Sequence, residues 1–163
     1  MRQLIFVVLS AVLPSVVAFH ASSEQPLAAT GTFIGISVAD LAASTEWYQK
    51  AFDLEVTKRI PKTNGAAVTV LEGSGMIVEL VQQDTAVALS TAAPSVKDEV
   101  QVYGVFKVGL TVNDFDAAIA LLRRRGVAIA FGPFPARGNE RANAIIRDNA
   151  GNLLQVFGPA SSK

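Results

Sequence analysis

Few side chains of this 163-residue chain can do covalent chemistry. Its one histidine, His20, lies at the end of an apolar N-terminal stretch, and it has no cysteine. The folded part therefore lacks the groups for Ser-His-Asp or Cys-His catalysis and for histidine-ligated zinc. What remains conspicuous is Lys107, an ammonium at the start of the mostly apolar, strand-like run "FKVGLTVND". So placed, it either reaches out to water or stands where another group could stand.

Other polar clusters read as structural. Arg123, Arg124 and Arg125 end a helical segment, where they complement its dipole on a solvated face. "FPARGNER", residues 134–141, reads as a surface loop, with Arg137 and Arg141 able to meet an anionic ligand. Trp47 and Tyr48 read as core packing. Asp148, Gly151 and Asn152 form a turn and a strand start. "GAAVTVLEGSG" lacks the spacing of a phosphate loop, so nucleotide binding is rejected there.

Half the residues are hydrophobic, enough for a sizeable core in one domain. Lys plus Arg and Asp plus Glu balance at 14 each, which argues against nucleic acid as a partner. There is no polybasic run to hold an anionic membrane surface. Residues 1–21 read as a signal peptide and cleavage region: Arg2, an apolar stretch from Leu4 to Phe19, then small residues around Ala18 and Ala21. The expectation is an exported protein, periplasmic or secreted, with no stable membrane insertion after cleavage. An uncleaved membrane anchor is the alternative. Without cysteine, the domain must be stable without disulfides.

These side chains are positioned by a repeated order of elements. "TFIGISVAD", residues 32–40, alternates as a strand, with Ile34, Ile36 and Val38 on one face and Phe33, Gly35 and Ser37 on the other. Asp40 caps a helix over residues 41–52. Three strands follow, "LEVTKRI", "AAVTVLE" and "GMIVELVQ", parted by the turns "PKTNG" and "GSG". A stretch without periodicity, residues 84–102, reads as a linker. The order then recurs. "FKVGLTVND" is a strand, Asp114 caps "FDAAIALLRRRG" with Gly126 as its stop, and "VAIAFG", "RANAIIRD" and "NLLQVFG" are strands. Phe33-Ile-Gly-Ile-Ser-Val-Ala-Asp40 aligns without gaps on Lys107-Val-Gly-Leu-Thr-Val-Asn-Asp114, which points to internal duplication.

This duplicated βαβββ pattern, the V-x-D-[LF] strand-to-helix junction, the "WY" helix and the closing "RDNAGNLLQVF" resemble the vicinal oxygen chelate superfamily. That group holds glyoxalase I, bleomycin-resistance proteins, fosfomycin-resistance enzymes and extradiol dioxygenases. Asp148-Asn149-Ala150-Gly151-Asn152 keeps the Asp, Gly and Asn of the family's closing motif and lacks its proline. The resemblance implies an α+β fold over residues 31–158. Two tandem modules, 31–83 and 103–158, would form a cup-shaped mixed sheet around a cavity. It also implies four metal-ligand positions on the cavity floor. Those on the first strands, seven residues before each capping Asp, are Phe33 and Lys107; those on the last strands are Glu79 and Gln155. Only Glu79 is a good ligand, and an ammonium repels a metal ion.

The leading expectation is therefore an exported protein that binds a small, partly apolar molecule without a metal cofactor. Phe33, Glu79, Lys107 and Gln155 would form its cavity floor, with Lys107 paired to Glu79 and Gln155 bonding nearby. The alternatives are a glyoxalase- or dioxygenase-like enzyme with a divalent metal in a non-standard site, and metal-free catalysis by Glu79 and Lys107. Relatives commonly pair, so a homodimer is compatible with the resemblance.

Overall fold

The computed structural model describes residues 31–160. Residues 1–21, expected from the sequence to be a signal peptide and including His20, lie outside the described residues.

The first module runs β1 (Thr32–Ser37), α1 (Leu41–Phe52), β2 (Glu55–Thr63), β3 (Ala66–Gly73) and β4 (Met76–Gln83). After α2 (Leu89–Ala92), the second runs β5 (Lys107–Thr111), α3 (Phe115–Arg124), β6 (Ala128–Phe134), β7 (Asn143–Arg147) and β8 (Leu153–Phe157). Each forms a four-stranded sheet of the same order, β1-β4-β3-β2 and β5-β8-β7-β6. In both, the first strand pairs in parallel with the last and the rest are antiparallel. The α+β fold of two tandem βαβββ modules is thus as the sequence implies.

Local chemistry explains the elements. Asp40 and Asp114 each accept a hydrogen bond from the backbone N–H three residues on, at 2.9 Å, and so start the two helices alike. Asn64-Gly65 and Ser74-Gly75 close the two hairpins of the first module, each residue with positive φ. In the linker the structure differs from the sequence reading. Besides α2, a short 3-10 turn spans Glu99–Gln101, because Asp98 and Gln101 form a capping box.

The alternation in β1 and β5 sorts the faces as expected. Ile34 and Val38 are buried, and Ile36, Val108, Leu110 and Val112 pack against a core shared by both modules. Phe33, Gly35 and Ser37 stay exposed. The core joins Tyr48, Phe52, Leu71, Val78 and Leu80 of the first module to Ile119, Ile146, Leu154 and Val156 of the second.

Polar contacts lock α1 to the second module. The buried Tyr48 hydroxyl donates to Asp148 Oδ2 at 2.9 Å, and Asn149 Nδ2 donates to Ser44 Oγ at 3.1 Å. Arg125 Nη1 donates to Ala51 O at 3.0 Å while Nη2 pairs with Asp53 at 2.7 Å. Arg125 therefore departs from its reading as part of a solvated face. It satisfies a carbonyl at the end of α1, an orphan acceptor of that helix. Among the described residues, no helix is long and apolar enough to cross a membrane.

Candidate functional site

Strand register places the four floor positions. Gly35 pairs with Glu79 and Glu79 with Val70; Gly109 pairs with Gln155 and Gln155 with Ile145. Directly paired residues share a face, so each row crosses the open face of its sheet opposite the helices. Phe33 and Ile77 lie one step along the first sheet, and Lys107 and Leu153 one step along the second.

The two glycines make different room. A Cβ on Gly35 would lie 3.8 Å from Phe33 Cε1 and 4.0 Å from Glu79 Oε1, so the space beside it is open. A Cβ on Gly109 would lie 3.1 Å from Phe157 Cε2, so that glycine already accommodates a ring. Where β1 meets β5, a cleft of about 260 Å³ is lined by Gly35, Ser37, Tyr48, Phe106, Lys107 and Asn152 among others. A second, of about 320 Å³, involves Thr32, Gly75, Gly109 and Thr111. A larger hollow, of about 530 Å³, lies away from the floor, around Asp114, Asp116 and Pro133.

Phe33 and Glu79 thus sit beside Gly35, and Lys107 lines the cleft that Gly35 also lines. Gln155 stays apart in the second sheet, where Nε2 donates to Asn143 Oδ1 at 3.0 Å. The ion pair expected between Lys107 and Glu79 does not form. The ion pairs among the described residues are Lys62–Asp84, Arg125–Asp53 and Arg147–Glu99. Lys107 Nζ instead lies 5.4 Å from the centroid of the Phe106 ring, a cation–π distance. Strand period fixes the face a side chain leaves from, but not its rotamer. Of the basic loop, Arg137 bridges to Glu140 through its backbone, and Arg141 Nη1 reaches Thr111 Oγ1 at 3.5 Å.

The donor set does not fit a divalent ion held by four side chains. Phe33 has no donor atom, Lys107 carries an ammonium, and the Gln155 amide is neutral and engaged with Asn143. Among the described residues, no three His, Cys, Asp or Glu side chains cluster to hold a metal ion.

Asp148 is a structural hub. It is 6% exposed; Oδ1 accepts from the N–H groups of Ala150 and Asn152, and Oδ2 from Tyr48 and the Asn152 amide. Burial first, then the charge of Asp148 and the bond to it, raise the Tyr48 hydroxyl far above the usual tyrosine range. Sequence pattern identifies both residues as structural. Nothing in it signals that they bond to each other across the modules.

The fold has solved counterparts. A glyoxylase/bleomycin resistance protein/dioxygenase domain from Frankia sp. EAN1pec is similar with a TM-score of 0.64 at 16% identity, covering 85% of this chain and 96% of that one. TnmS3, an antibiotic binding protein from Streptomyces sp. CB03234, aligns with a TM-score of 0.57 at 19% identity, over 83% of this chain and 100% of its own. A lactoylglutathione lyase from Agrobacterium tumefaciens aligns with a TM-score of 0.56 at 18% identity, over 82% and 96%. At these identities the likeness concerns the fold. No curated protein matches the sequence. The sequence model of the glyoxalase/bleomycin resistance protein/dioxygenase superfamily, however, matches residues 32–156, and the chain belongs to that superfamily.

Proposed function

We propose that the chain is an exported protein that binds a small, partly apolar molecule in the cavity between its two modules, without a metal cofactor. The carrying observation is the make-up of the open faces. Glycines stand in the central rows, and apolar side chains such as Phe33, Ile77 and Phe131 remain at least a third exposed there. Exposed apolar surface beside placed charged and polar groups, here Glu79 and Lys107, is compatible with a small-molecule site. One metal-competent carboxylate among the four family positions favours binding over metal-dependent chemistry. The fold itself is compatible with either, since its counterparts include an antibiotic binding protein and a lyase.

Native mass spectrometry of the untagged protein tests this reading. The expected result is an organic adduct on the wild type that is absent from Gly35→Leu, whose side chain fills the space beside Glu79. A stoichiometric divalent metal in place of an organic adduct overturns it. Export is tested by N-terminal sequencing of the mature product, expected to begin after Ala18 or Ala21; an intact Met1 start contradicts it. Homodimerisation belongs to the same proposal. Sedimentation is expected to give twice the chain mass, and a monomer at all concentrations contradicts it.

A further inference from the structure

The open faces of the two sheets differ in charge. The first carries Glu79 in its central row, with Lys58 two strands away in the same row, and Glu72 and Glu55 in the row of Phe33 and Ile77, so that it is acidic on balance. The second carries Lys107 and Arg147 in one row, joined through Leu153. Arg147 is held by Glu99 and by the Gly151 carbonyl. Glu79 and Lys107 are different: both are half-buried, and neither forms an ion pair or a side-chain hydrogen bond with the described residues. Half-burying a charge without a partner has a free-energy cost that a complementary group removes.

Gly35 borders both groups. It lines the cleft with Lys107, and a Cβ on it would lie 4.0 Å from Glu79 Oε1, which sits just beyond that lining. Its backbone is ordinary extended strand, so the conformation does not demand glycine. Glycine inside a strand is destabilising, and a close approach by another molecule is one reason to find it there.

We propose that the ligand is a zwitterion with an apolar body, its ammonium on Glu79, its carboxylate on Lys107 and its body over Gly35 between Phe33 and Phe106. This rests on the binding reading above and names the ligand class for that site. A purely anionic ligand would satisfy Lys107 and be repelled by Glu79; a cationic one would do the reverse. A neutral ligand would strip water from both charges and replace it with nothing. Only a molecule bearing both charges meets the two groups while covering the apolar surface between them. The Phe106 ring, already beneath the Lys107 ammonium at 5.4 Å, extends that surface.

Isothermal titration with a matched aromatic set tests the inference: para-aminomethylbenzoate as zwitterion, para-methylbenzoate as anion, para-methylbenzylamine as cation and para-methylbenzyl alcohol as neutral member. Phenylalanine serves as a zwitterion with closer charges. The expected result is that at least one zwitterion binds about tenfold or more tighter than every other probe, one well-placed charge contact being worth about that factor. Lys107→Met should remove the advantage over the amine and Lys107→Arg should restore part of it. Glu79→Gln should remove the advantage over the acid. Circular dichroism checks that each variant is folded. Equal affinity for the alcohol and both zwitterions overturns the inference while leaving cavity binding intact. So does an advantage that survives both Lys107→Met and Glu79→Gln. Absence of binding by all probes, with no organic adduct in the native spectrum, overturns this inference and the binding reading together.

Discussion

Replacing Tyr48 with phenylalanine removes a single oxygen from the seam between the modules. That hydroxyl is fully buried and donates to Asp148 at 2.9 Å. A hydrogen bond to a charged group contributes about 1.5–3 kcal/mol to stability. Asp148 Oδ2 keeps its bond from the Asn152 amide, so the carboxylate is not orphaned and the cost falls toward the lower end, about 2 kcal/mol. Urea unfolding measures it. With a slope of about 1–3 kcal/mol per molar, the midpoint should drop by roughly 1 M at unchanged slope. The same hydroxyl gives an alkaline signature. In the unfolded chain it ionises near a pKa of about 10, whereas burial and Asp148 keep it neutral in the fold well beyond that. Stability is therefore unaffected by this group below about pH 10 and falls above it by about 1.4 kcal/mol per pH unit. Tyr48→Phe should lack that contribution, so the gap between wild type and variant narrows as pH rises. A variant as stable as wild type at pH 7, or a gap that does not change above pH 10, would refute the placement of this bond at the seam.

Further outcomes follow from neighbouring contacts. Because Lys107 and Glu79 are not paired, Lys107→Met and Glu79→Gln should be additive in unfolding free energy to within about 0.5 kcal/mol, and a clear coupling in the double-mutant cycle would restore the ion pair. Arg125→Met should lose about 1–2 kcal/mol through the bond to Ala51 O, while Asp53→Asn, at a carboxylate 68% exposed, should change unfolding free energy by no more than about 0.5 kcal/mol. Gly109→Ala should destabilise by about 1–2 kcal/mol, because its Cβ would press Phe157 from 3.1 Å, whereas Gly35→Ala should be neutral or stabilising in a thermal melt.

Much of this was legible in the chain because it depends on short-range chemistry. The capping Asp, the alternation of Ile34, Ile36 and Val38, and the Asn64-Gly65 turn act within a few residues of themselves. They fix the repeat, and the repeat carries the fold. The faces of Phe33 and Lys107 followed from the same period, and the floor positions of Glu79 and Gln155 from the family resemblance. Their partners did not, since those depend on rotamers and on residues far apart in sequence. Gln155 turns to Asn143, Lys107 to Phe106, and Arg125 reaches back to α1 across the whole linker. The linker hid a second lesson. Its low periodicity masked a capping box at Asp98 and Gln101, which is a local signal but too short to show in a periodic reading.

A calorimetric titration of the untagged, chelator-treated protein with zinc, nickel, manganese and ferrous ions bears most directly on whether this chain has set aside its family's metal chemistry. One carboxylate, one amide, one ammonium and one phenyl ring offer no four-donor site. The expected result is no saturable stoichiometric binding of any of the four ions. A site filling at one ion per chain and lost in Glu79→Gln would contradict it.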